Sequence, residues 1–64
     1  MNEAEYQQVI DELDRVIRDA RDTMDRFEAA GMDEKMADDY AKLHEIYTKA
    51  VSEQRSYTWK MLDL

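Results

Sequence analysis

Core-type residues recur along the chain at alternating steps of four and three. From the N-terminus the series runs Tyr6, Ile10, Leu13, Ile17, Ala20, Met24 and Phe27. It resumes as Met36, Tyr40, Leu43, Tyr47, Ala50, Gln54, Tyr57, Met61 and Leu64. This is the 3.5-residue repeat of a coiled-coil seam, and it predicts two long amphipathic helices. Asn2 and Glu5 stand at the N-cap and N3 spacing of a capping box, with Asn in place of the usual Ser or Thr. Gly31, the only glycine in a chain without proline, reads as the left-handed residue that ends the first helix. Asp33 is expected to cap the second helix, with Glu34 well placed for its dipole. The predicted elements are a helix over 2–31, a turn over 31–33 and a helix over 33–62, in a single domain spanning 1–64.

Folded back at Gly31, the two seams align as antiparallel layers. Phe27 meets Tyr40, Met24 meets Leu43, Ala20 meets Tyr47 and Ile17 meets Ala50. Leu13, Ile10 and Tyr6 then face Gln54, Tyr57 and Met61. Small residues fall opposite large ones at Ala20 and Ala50, as a packed interior requires. The expected fold is an all-α antiparallel two-helix hairpin of coiled-coil type. Gln54 is a candidate for fixing its register. The four tyrosines all fall on the seam, where a phenol body can be buried and its hydroxyl kept wet.

A hairpin leaves half of its apolar surface uncovered. Val9, Val16, Ile46 and Val51 widen the stripe beyond what one partner helix covers. A chain of 64 residues buries only about 60% of its unfolded surface, and without cysteine it can form neither disulfides nor a Cys-based zinc site. A homodimeric four-helix bundle is therefore expected. The alternatives are a monomer with loose ends and a hairpin docked on a different protein.

Charge narrows the partners. Sixteen acidic side chains against nine basic ones leave a net −7, which opposes nucleic acid and anionic membranes and favours a basic partner. A need for solubility explains the charge equally well. Along the first helix, Asp11–Arg15, Asp14–Arg18 and Asp22–Arg26 are i,i+4 pairs worth about 0.2–0.5 kcal/mol each. This alternation argues against extended mimicry of DNA. No apolar run approaches the roughly 20 residues of a membrane span, and the acidic N-terminus is no signal peptide. A cytoplasmic protein is expected.

The chemistry of an enzyme is missing, and no catalytic residue, metal or cofactor is expected. The one histidine, His44, has Ala41 where a Glu-x-x-His motif needs Glu and Thr48 where HExxH needs a second His. It is expected to be a partly buried structural residue beside the seam, with pH sensing the alternative. Ser52 and Ser56 have no neighbouring base. DEKMADD lacks the spacing of an EF-hand loop.

Two features remain as candidate contact surfaces. Residues 22–39 hold Asp22, Asp25, Glu28, Asp33, Glu34, Asp38 and Asp39 against only Arg26 and Lys35. The turn end is either a dock for a basic protein surface or a solvated loop with capping acids. Trp59 lies opposite the seam, with Arg55 four residues before it and Leu62 three after. Trp and Arg are enriched at binding hot spots. The alternative is that the helix frays and Trp59 folds back over the open end of the hairpin.

In architecture the chain resembles the Rop-type dimeric helical hairpins, and DEKMADDYAKLHE is similar, with a gap, to the opening of their second helix. That resemblance implies RNA binding, for which this chain lacks the basic face. Size, helicity and acidity are also similar to small type III secretion co-chaperones and needle-type subunits, and to phage-encoded inhibitors of host proteins. The expected function is a non-enzymatic acidic protein–protein interaction module, most concretely a small inhibitor or adaptor that blocks a surface of a larger partner. A structural or co-chaperone-like hairpin covering a partner helix is the alternative, and Rop-like RNA binding ranks below both.

Overall fold

The computed structural model describes residues 1–63; the seam position assigned to Leu64 lies outside them. The chain forms α1 (Glu3–Ala29), a single helical turn α2 (Met32–Lys35) and α3 (Ala37–Leu62). No strand occurs among the described residues. α1 and α3 pack along their length as an antiparallel hairpin of 46 × 14 × 12 Å. No helix among them is long and apolar enough to cross a membrane.

The ends of α1 follow from the residues that stand there. The Glu5 amide donates to the Asn2 side chain at 2.9 Å, satisfying one orphan donor of the first turn. At the other end Gly31 adopts φ +70°, and its amide returns to the Glu28 carbonyl at 3.1 Å. A left-handed glycine in this position is the usual device for turning a chain off a helix.

The second half of the chain departs from the expected continuous helix. It breaks at Met36, whose φ of −122° and ψ of 52° are not helical. Asp33 caps nothing: it lies inside α2, whose N-cap is Gly31, and α3 starts from Met36 without a side-chain cap. Met36 is 40% exposed, so it serves as the joint between α2 and α3 rather than as a seam residue. Helix propensity carries no signal for such a break, because methionine is a good helix former. The signal is tertiary. The joint starts α3 at an angle that stacks Tyr40 on Phe27, with ring centroids 6.5 Å apart, and brings the Tyr40 hydroxyl to Glu28.

Beyond this joint every described seam position is buried or half-buried. The deepest are Ala50, Ala20 and Met24, at 4%, 5% and 9% exposure. Two alanines in the middle of the rod let the helix backbones approach, and the larger side chains pack above and below them. Near the open end the Gln54 side chain donates to the Ile10 carbonyl at 3.2 Å, and Tyr6 lies 6.2 Å from Tyr57. The Gln54 and Tyr40 hydrogen bonds thus tie α1 to α3 towards opposite ends. No large side chain among the described residues is fully buried, so this core is thin.

Candidate contact surfaces

The turn end does not gather its seven acids into one site. Asp22 is held by Arg26 at 3.0 Å on the outside of α1. Glu28, Asp33 and Asp25 act together on Tyr40. The hydrogen bond that Tyr40 donates to Glu28 at 2.5 Å, then desolvation and the charges of those three carboxylates, hold its phenol above the ordinary tyrosine value. Glu34, Asp38 and Asp39 line a separate shallow depression around the α2–α3 joint. Asp33 and Glu34 fall in the first turn of α2, and Asp38 and Asp39 in that of α3. There they complement the positive end of each helix.

The expected ion-pair ladder forms in part. Arg18 pairs with Asp14 at 3.0 Å, as Arg26 does with Asp22. The third pair is replaced, because the Gln7 side chain donates to Asp11 at 3.0 Å. His44 is exposed rather than half-buried, and its carbonyl accepts from Thr48. The cause is geometric: position 44 follows Leu43 by one residue and so points about 100° away from the seam.

Trp59 is 72% exposed and Leu62 69%. α3 stays helical to Leu62, and the Asp63 amide closes its last turn on the Trp59 carbonyl at 3.1 Å. Trp59 therefore does not fold over the open end of the hairpin. With Gln54, Arg55, Thr58 and Leu62 it lines a shallow depression built from α3 alone. The cation–π contacts lie elsewhere: Arg21 over Tyr47 at 6.0 Å and Lys60 over Tyr57 at 5.2 Å.

The four residues flanking the seam divide between two faces. Val16 and Ile46, 42% and 45% exposed, share a depression that bridges α1 and α3. Val9 lies one heptad before Val16 on the same line. Val51 is five residues from Ile46, about 140° round α3, and so lies on the opposite flank.

That opposite flank carries a pattern the seam had obscured. Ala41, His44, Thr48, Val51, Arg55, Thr58 and Leu62 repeat the three–four spacing along α3, with Trp59 at the edge. This outer stripe contains no acid. The corresponding line on the other flank reads Asp39, Lys42, Ile46, Lys49, Glu53, Ser56 and Lys60, so its one apolar residue sits among charges. The outer stripe is weak in hydrophobicity, and only its period and its lack of acids would have disclosed it from sequence. Comparison with known proteins found no matching family model, curated protein or solved structure, so the fold and these surfaces stand on the chain's own residues.

Proposed function

We propose that the chain is a non-enzymatic acidic interaction module, a small inhibitor or adaptor that works by occupying a surface of a larger assembly. The observation that carries this reading is the Trp59 patch. An indole and a leucine stand about 70% exposed, one turn apart and beside Arg55, on the outer side of a well-formed helix. Soluble chains seldom leave a tryptophan so uncovered, and the pairing of Trp with Arg is typical of binding hot spots. The acidic turn end contributes steering towards a basic surface rather than a shaped pocket, since its carboxylates spread over three separate places.

Site-specific photo-crosslinking tests the assignment. A crosslinking residue at position 59 is compared with one at the exposed Lys49, which lies off the outer stripe. The expected result is an adduct of discrete mass at 59 and none at 49. Excess unlabelled wild-type chain suppresses it, and excess Trp59→Ala chain does not. Absence of an adduct at 59, or equal adducts at both positions, refutes the reading.

A further inference from the structure

We infer that the outer stripe of α3 is a dimer interface, occupied by a second copy of this chain packed antiparallel; the inference rests on reading the Trp59 patch as a contact surface. The stripe complements itself. A two-fold axis beside Val51 brings α3 against α3 with Val51 near Val51, Arg55 opposite Thr48, Leu62 opposite Ala41 and Trp59 over His44. Large side chains meet small or polar ones, and the seven stripe positions bring no acid into the α3–α3 contact; Glu45, on the same helical line as Trp59, lies at its edge opposite Thr58. A parallel pairing of the same stripe would set Arg55 on Arg55 and bring the two acidic turn ends together.

The same rotation lays α1 along α1. Arg21 lies over Tyr47, on the Val51 side of the seam. At matched heights Arg21 of one copy comes opposite Asp11 of the other, and Arg18 opposite Asp14. Opposite charges therefore face each other across the pair, and the acidic turns move to opposite ends of the assembly.

The surface area fits. The hairpin exposes 5012 Å², whereas a compact monomer of 7.7 kDa exposes about 4,300 Å². The excess, about 700 Å², is close to the roughly 800 Å² that each partner contributes to a standard interface.

The chain has no cysteine, so introduced thiols report contacts directly. Val51→Cys and Ile46→Cys place one thiol on each flank of α3. On mild oxidation at equal concentration, Val51→Cys is expected to give a covalent dimer and Ile46→Cys little, because a disulfide needs Cα atoms within about 7 Å. Sedimentation of the wild type is expected to show a dimer. Trp59→Ala should weaken it about tenfold or more while the helical circular dichroism stays unchanged. A wild-type monomer at high micromolar concentration overturns the inference, as does Ile46→Cys crosslinking as well as Val51→Cys. A monomer that still gives the position-59 adduct with another protein removes the self-pairing and leaves the contact surface standing; a monomer with no adduct removes both.

Discussion

Replacing Ala50 with leucine tests the closest approach of the two helices. Ala50 is 4% exposed, and the alignment set by the Phe27–Tyr40 stack puts it level with Ile17, one layer from Ala20 at 5%. Leucine adds three carbon atoms where almost no surface is left open. Inserting methylenes into a packed core costs about 1–3 kcal/mol, because rotamers and backbones must shift to admit them. For a chain of this size each kcal/mol moves Tm by about 4–8 °C, so a fall of about 5–20 °C is expected. Ala4→Leu is the control. It makes the same chemical change at an exposed position of α1 and should stay within about 0.5 kcal/mol of wild type. The assay is a thermal melt followed by circular dichroism at fixed protein concentration. If Ala50→Leu melts with or above the wild type and Ala4→Leu, the helices do not approach as closely as the buried alanines of adjacent layers allow.

Two further outcomes follow from the turn end. Gly31→Ala should cost about 1–2 kcal/mol in the same melt, through backbone strain alone, since a Cβ at φ +70° meets nothing within 4 Å; Gly31→Asn, which tolerates the left-handed region, should cost less. Tyr40 should ionise above the ordinary tyrosine value of 10.0 in a near-ultraviolet absorbance titration, and Glu28→Gln should bring it back towards that value. A phenol whose pKa is raised in the folded state stabilises the fold fully below the ordinary value of 10.0, and that contribution is lost as pH climbs through the folded value. A titration curve that Glu28→Gln leaves unchanged would refute the Tyr40–Glu28 interaction.

The hairpin was legible because its strongest signal, seam periodicity, is also what determines which faces bury. Every described seam residue except Met36 is at least half-buried. The caps at Asn2 and Gly31 were legible for a similar reason, since each residue does locally what its chemistry favours. Met36 was not legible. It is a good helix former placed on the seam period, and the break there accompanies a tertiary contact, the stacking of Tyr40 on Phe27. The candidate surfaces divide the same way. The exposure of Trp59 and Leu62 follows from their position opposite the seam. The grouping of Val51 with Ile46 overlooked that adjacency to a seam has two sides, although their five-residue spacing, about 140° round a helix, already separates them.

The two flanks of α3 explain why a thin core can coexist with a regular helix. On the Ile46 flank, Asp39, Glu53 and Lys60 interrupt the apolar line with charges that are costly to desolvate. On the outer stripe, His44 and Arg55 are the only ionisable groups, and both can keep their polar ends at the edge of a contact. Evenly spread solubility would place acids on both flanks, as it does over the rest of a chain with sixteen of them. Their absence along seven successive positions of three–four spacing removes like-charge repulsion between two copies of that helix. The acids lie instead at the turn, on α1 and on the rest of α3, Glu45 and Glu53 among them, and on α1 Asp14 and Asp22 have arginine partners. Solubility is thus supplied by the turn ends and the Ile46 flank, which the paired arrangement leaves free, while the apolar area missing from the hairpin's interior is available where the acids are not.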